Sequence, residues 1–450
     1  MPRVHPFQRL PGVYFNIESE IRHVFSVGQR GRAVAMLPLN WFLPDEMVTI
    51  HTREWQSSEA LHKLGLTAAP DFPDNVSINA LMDGCEVGLI FPQNTGGTKA
   101  EGVLGDVVIA AKKYGTAGNE ITVNIVQNGD FYTVTTFFRG MPMEVATIDN
   151  LDDLGESIFV DFEYDPEDPV PLGEVMLDGG GNGVLPEYHT RTTAFWDAAA
   201  LEYWNVIAHS MSPADPMYTQ STNAFAAWLA QLNEDEQQLR QGVVFNDTQL
   251  SNDSEMIINI NQVADFDGVT LTPAQMVLYR TGQTAGAAIN HSETNDRMRR
   301  LTNLSPRFTK RQQENFINRG FFIYNEDHDG AIHVIRDINS FVSTVARKNI
   351  QWTDNRTMRA LHDTKVQVAK KFNREFKGAV EDTPEGRYTF HVAVDVLFGD
   401  VYTEARVMQN HATDKIEIYS RGFRNWGARL TNIQYVTAVD TIDVDMTISW

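Results

Sequence analysis

The run EVGLIFP, residues 86–92, is apolar without alternation. A strand with one face in water alternates apolar and polar residues. An uninterrupted run is a strand covered on both faces, as in a sheet held between helical layers. RAVAMLPL at 32–39 has the same character, and between the two SSEALHKLG offers a helix opened at a Ser N-cap. Strand, helix, strand in that order reads as a βαβ unit. The pattern returns after residue 187. TTAFWDAAALEYWNVIAHS and TNAFAAWLAQLNEDEQQLRQG read as helices, GVVFND and EMIINI as strands. LTPAQMVLYRTGQTAGAAIN starts with Thr272, Pro273 and Gln275, a capping box with Pro at the first helical position. Gly282, Ala285 and Gly286 then give that helix a small-residue face for close packing.

Between the two α/β stretches the pattern changes. EITVNIVQNGDFYTVTTFF is two β-rich runs around Asn128-Gly129, a strong hairpin signal. ESIFVDFEY adds a strand, and helix-forming runs are scarce. Two breakers bound the region, GGTK at 96–99 and DGGGNG at 178–183. Neither has the spacing of a phosphate loop or the carboxylates of a calcium loop, so both read as boundary turns. GFFIYNEDHDGAIHVIRDI reads as a hairpin with an acidic tip. A long helix is expected over 353–380 and a strand-rich segment over 388–450.

Both ends carry an isolated alternating strand. Near the start Val13, Phe15 and Ile17 share one face. At the end Ile442, Val444, Met446, Ile448 and Trp450 do so. Terminal segments are disordered unless tied down, so each strand requires a partner elsewhere. The resulting organisation is an N-terminal arm (1–20), a first α/β part (21–95), an inserted all-β, β-sandwich-like domain (96–175), a second α/β part (176–345), a C-terminal α+β domain (346–435) and a C-terminal arm strand (436–450).

Charge and motifs narrow the function. With 37 basic and 59 acidic residues the net charge is −22, which disfavours nucleic acid and anionic membrane. The single cysteine, Cys85, rules out an internal disulfide and reads as core packing. No run of 18 apolar residues marks a membrane span. There is no Walker loop, dinucleotide fingerprint, zincin motif or nucleophile elbow, and the histidines show no ligand spacing. No cofactor, metal or catalytic constellation is expected. One charge anomaly is the helix at 353–377, with seven basic and three acidic residues. On it Met358, Leu361, Val368, Phe372 and Phe376 form an apolar stripe, and Lys370, Arg374 and Lys377 share a second face at helical spacing.

Taken in order, several segments resemble the tail sheath proteins of contractile bacteriophages and phage-like particles. SEMIINI, DGVTLTPAQ, the Ala/Gly-rich helix and NHSETN resemble that family's central segment. VIRDINSF resembles the strand that follows it. AAKKYGTAGNEITVNIV, LDGGGNG and the closing VDTIDVDMTISW fit the same series. The resemblance implies a central subtilisin-like α/β domain without protease residues. It also implies terminal strands exchanged between subunits, and a C-terminal domain facing an inner tube through Lys370, Arg374 and Lys377. The partners implied are copies of the chain in hexameric rings and a helical polymer, the tube protein, and baseplate and tail terminator proteins, with no nucleic acid and no membrane insertion. The expected place is the virion tail, after assembly in the bacterial host cytoplasm. A hydrolase on a subtilisin-like core with an atypical site and a sheath-related baseplate protein are the alternatives.

Overall fold

The computed structural model describes residues 30–55, 63, 75–165, 169–235, 239–246, 252–345, 348–409, 411–422, 425–431 and 433–437. Both arm strands, with Val13, Phe15, Ile17, Ile442, Val444, Met446, Ile448 and Trp450, lie outside these residues, as does most of the helix expected at 57–65.

The chain opens with β1 (Arg32–Leu37), β2 (Val48–His51), the short α1 (Thr52–Trp55), α2 (Val76–Met82) and β3 (Val87–Pro92). The insertion follows as β4 (Lys99–Leu104), β5 (Val107–Tyr114), β6 (Ile121–Asn128), β7 (Phe131–Phe138), β8 (Met141–Ile148), β9 (Val160–Glu163) and β10 (Gly173–Met176). The α/β pattern resumes with α3 (Tyr188–Ala200), β11 (Val206–His209), α4 (Tyr218–Asp235), β12 (Gln241–Phe245) and β13 (Ile257–Ile260). Next come β14 (Val263–Phe266), β15 (Val269–Thr270), α5 (Pro273–Gly286), β16 (Leu301–Ser305), α6 (Lys310–Asn318), β17 (Tyr324–Glu326) and β18 (Ile332–Val334). The last described elements used below are α7 (Asn355–Lys371), α8 (Pro384–Val396), the short β19 (Met408–Gln409), β20 (Ile416–Gly422) and β21 (Asn425–Leu430).

The central sheet has the order β13-β12-β11-β1-β3-β2 and is parallel except for the edge strand β2. Its central strands serve two cores at once. Ala33, Ala35 and Leu37 of β1 pack with Ile78, Leu81, Met276 and Val277 from α2 and α5. Val34 and Met36 point the other way, toward Phe195, Phe225 and Leu229 from α3 and α4. That double burial explains the uninterrupted apolar runs, each fully buried Val, Leu, Ile, Met or Phe side chain contributing about 1.5–3 kcal/mol.

In the insertion, a four-stranded sheet β10-β6-β7-β8 and a three-stranded sheet β4-β5-β9 share a core around Ile109, Ile121, Val123, Phe138 and Phe159. The β6–β7 hairpin is present, but its loop is Gly129-Asp130, because Asn128 already pairs with Phe131. Gly129 supplies the positive φ of 69°. The two glycine-rich breakers pair with each other. Thr95, Thr98 and Glu101 donate backbone N–H groups to the carbonyls of Val184, Gly181 and Asp178 at 2.9, 3.1 and 2.8 Å. They form a two-stranded neck through which the chain enters and leaves the insertion. Gly183 (φ 66°) is required there, since a Cβ would sit 2.3 Å from the Thr95 carbonyl oxygen.

Three elements differ from expectation. The segment 192–210 is not one helix: α3 ends at Ala200 and Val206–His209 is a buried strand. The Asn205 side chain accepts from the amides of Gly31 and Arg32 at 3.1 Å, which fixes β11 beside β1. The segment from 388 is not strand-rich at its start, since α8 runs from Pro384 and passes into a π-helix over Leu397–Tyr402. The expected helix at 353–380 is α-helical only to Lys371 and becomes a π-helix over Phe372–Phe376. Contacts divide the described chain into two compact units, one of residues up to Lys370 with 435–437, the other Lys371–Gln434. The division falls within the segment 346–435 read as one domain.

The α2–α5 contact is backbone to backbone. A Cβ on Gly282 would lie 2.0 Å from the Leu81 carbonyl oxygen, and one on Gly286 1.8 Å from that of Gly84. Ala is the better helix former by about 1 kcal/mol. Gly282→Ala nevertheless has to separate the two helices, so it should destabilise the protein by more than about 2 kcal/mol. Urea unfolding measures this, and a neutral or stabilising result would refute the contact.

Candidate functional site

The segments that carry the family resemblance converge on one buried ionic cluster. Helix α5 begins as its capping box dictates: the Gln275 amide donates to Thr272 Oγ1 at 3.3 Å, and the Thr272 amide to Gln275 Oε1 at 2.9 Å. Two turns on, fully buried Arg280 donates Nε–H to Thr284 Oγ1 at 2.8 Å and pairs with Glu293 of NHSETN. Its guanidinium lies 4.2 Å from the centre of the Phe322 ring. Glu293 in turn donates its amide to Asp337 of VIRDINSF at 3.1 Å. Asp337 receives Arg359 Nη2 at 2.7 Å and Asn355 Nδ2 at 3.0 Å, both from α7. Arg359 also donates to the His291 carbonyl at 2.6 Å, and its Nη1 stands 3.6 Å from Glu293.

Burial alone would raise the Asp337 carboxyl, but Arg359 and Arg280 outweigh it and hold it below the usual carboxylate range. Burial works against the charge on both arginines, and Glu293 and Asp337 reverse that, so both stay firmly protonated. Asp354, at the start of α7, is different. Burial and the charge of Asp337 push its carboxyl up to about 6, against hydrogen bonds from Thr357 Oγ1 at 3.0 Å and the Arg356 amide at 3.2 Å. A cavity of about 270 Å³ adjoins it, lined by Ser292, Thr294, Arg336, Asp337, Asp354 and Thr437 among others. Position on one sequence stretch gave no hint of this cluster, because its members are up to 79 residues apart, from Arg280 to Arg359.

The predicted tube-facing residues are all exposed: Lys370 at the end of α7, Arg374 inside the π turn, and Lys377 where the backbone becomes extended (φ −63°, ψ 111°). The α-helical spacing that put the three on one face therefore ends at Lys371. Phe372 and Phe376 do serve as anchors, with Phe390 of α8 at 5.4 and 4.9 Å between ring centres. Cys85, His209 and the acidic tip have packing and turn roles. Cys85 is buried, its thiol pushed up to about 12 by burial. His209 is buried against Phe225 at 5.0 Å and pushed down to about 3 by burial, so it is neutral. The acidic tip at 325–330 is the turn of the β17–β18 hairpin, closed by the Asp327 amide on the Ala331 carbonyl at 2.9 Å.

Residues 189–340 match the phage tail sheath protein central domain, a span that holds α5, Arg280, Glu293 and Asp337. The phage-like element PBSX protein XkdK of Bacillus subtilis (strain 168) is 26% identical over 398 residues, covering 83% of this chain and 82% of that protein. The fold is shared with the sheath tail protein of Desulfitobacterium hafniense, at a TM-score of 0.71 and 24% identity over 94% of this chain and 99% of that one. It is shared more loosely with the anti-feeding prophage helical sheath in its contracted state, at a TM-score of 0.55 and 11% identity over 98% and 100%.

The Asp354 shift makes a pH prediction. Its folded-state value lies above the unfolded one, so its protonated form stabilises below about pH 4 and that stability is lost as pH rises through about 6. Asp354→Asn keeps a helix-capping side chain. The variant should match the parent near pH 4 and exceed it by about 1–3 kcal/mol above pH 7. Denaturant midpoints across this range test it; parallel curves would show that Asp354 is not charged at a cost.

Proposed function

We propose that this chain, which carries a phage tail sheath central domain over residues 189–340, is a structural subunit of a contractile tail sheath. Its work comes from conformational free energy stored on assembly, with copies polymerising around a tail tube and shortening to drive that tube through an envelope. The observation that carries the reading is the match of residues 189–340 to the sheath central domain, the span that supplies Arg280, Glu293 and Asp337 of the buried ionic cluster.

The alternating terminal strands act as arms that pair with neighbouring copies. The pair β20–β21 supports this. Among the described residues it is a two-stranded ribbon packed on α8 through Phe390 and Trp426, with no third strand paired to it. An open strand edge favours an added strand. Tube, baseplate and terminator proteins complete the assembly in the host cytoplasm, and the subunit performs no catalysis.

Negative-stain microscopy of the purified chain is the direct test, with tubes or rings expected. Removing residues 440–450 or 1–18 should leave a folded subunit that forms neither. Tubes from the truncated chain would refute the arms, and outright unfolding would show that the strand completes its own domain.

Exposed Lys370, Arg374 and Lys377 meet the tube as separate charges. Each exposed pair contributes only about 0–1 kcal/mol, but identical subunits repeat it along the tube. Replacing all three by Glu should spare self-assembly and impair assembly on the tube, as high salt does for the parent. Normal decoration of tubes at low salt would refute the contact.

A further inference from the structure

The most basic stretch of the chain lies outside the helix singled out by its sequence. Residues 297–320 hold seven basic residues and one acidic one. Arg297, Arg299, Lys310 and Arg311 are exposed, and among the described residues none of the four has an ion-pair partner. Lys310 and Arg311 occupy the first two positions of α6, after the Thr309 cap. That is the positive end of the helix dipole, where cations are disfavoured. Helix α6 has no fully buried residue. It is held by Phe316, whose ring lies 4.5 Å from Phe308 and 5.3 Å from Phe321. A short, bare helix with two cations at its unfavourable end breaks a local rule, and such breaks mark functional surfaces.

The same chain carries the complement. Residues 149–168 hold nine acidic residues and no basic one. They lie in the insertion, between β8 and β10. Asp149, Asp152, Glu156 and Glu163 are exposed there without an ion-pair partner among the described residues, whereas Asp161 faces Lys99 and Lys112 at 3.9 and 3.7 Å. None of Arg297, Arg299, Lys310 and Arg311 pairs with Asp149, Asp152, Glu156 or Glu163 within one copy.

We propose that the basic face formed by Arg297, Arg299 and the start of α6 docks the acidic tract of the inserted domain of a second copy of this chain. The proposal deepens the sheath reading and rests on it, since a polymer is what brings the two tracts together. Unpaired charge of opposite sign on two separate domains of one chain matches copy to copy. It also makes the contact sensitive to salt, because exposed charges are screened beyond about 10 Å at 0.1 M salt.

The test uses three forms of the full chain. One carries Arg297→Glu, Arg299→Glu, Lys310→Glu and Arg311→Glu. Another carries Asp149→Lys, Asp152→Lys, Glu156→Lys and Glu163→Lys. The third is the parent. Sedimentation velocity gives the concentration for half-maximal association at low salt. Each variant alone should need at least about tenfold more protein than the parent, since several weak pairs act together. A mixture of the two variants should associate like the parent, because their reversed faces complement each other. Roughly 1 M salt should abolish the differences. Gln in place of each reversed residue provides a milder set with smaller shifts in the same direction, should a reversal impair folding as judged by thermal melts. Unchanged association in both variants, or a mixture no better than its components, overturns the proposal. So does a defect confined to the basic reversal, which would assign that face to another acidic partner. Failure of the sheath reading is separate: the parent would associate with the same charge dependence but give neither tubes nor rings under negative stain.

Discussion

The pairing of Arg359 with Asp337 is the contact on which the larger unit depends. Each buried charge costs several kcal/mol of lost hydration, and only direct pairing with good geometry offsets that. Asp337 meets this condition with a guanidinium, a side-chain amide and a backbone amide. Glu293 serves Arg280 and lies beside Arg359, so no member can be removed without stranding another. Loss of one partner from such a set typically costs about 3–5 kcal/mol. The cluster therefore fixes the start of α7 against the segment after α5. That constraint then sets where the chain leaves the larger unit at Lys370.

The central sheet and the ionic cluster divide the labour. Hydrophobic burial on both sheet faces supplies most of the stabilisation and is tolerant of shape. The α2–α5 contact and the cluster supply selectivity, because one admits no side chain at Gly282 or Gly286 and the other admits no unpaired charge. A unit held this way resists rearrangement within itself.

Much of this was legible in the sequence. The uninterrupted apolar runs marked β1, β3, β12 and β13, and the Thr272–Pro273–Gln275 start marked α5 to the residue. What was missed obeys the same rules in quieter form. Thr383 and Pro384 repeat the Thr-Pro start, and the Gly386 amide donates to Thr383 Oγ1 at 3.1 Å, yet the β-prone residues that follow hid α8. Thr309 and Gln312 form a second capping box before α6, masked by charged residues. The strand Val206–His209 was hidden because only tertiary contacts, through Asn205, distinguish four apolar residues from the end of a helix. The ionic cluster was out of reach for a different reason: attraction between distant charges leaves no periodic trace.

The neck of the insertion has a mechanical consequence. Thr95–Glu101 and Asp178–Val184 run side by side and are bonded to each other at three points. A domain hung on one strand swivels freely about each rotatable bond. A domain hung on two bonded strands swivels only by shearing their hydrogen bonds. A third hold comes from the loop ahead of β2, where Phe42 and Tyr114 exchange backbone hydrogen bonds at 3.1 and 3.0 Å and Trp41 is buried in the insertion core. Load applied to the insertion is then shared among the ends of β3 and α3 and that loop, so the insertion is braced against bending as well as torsion.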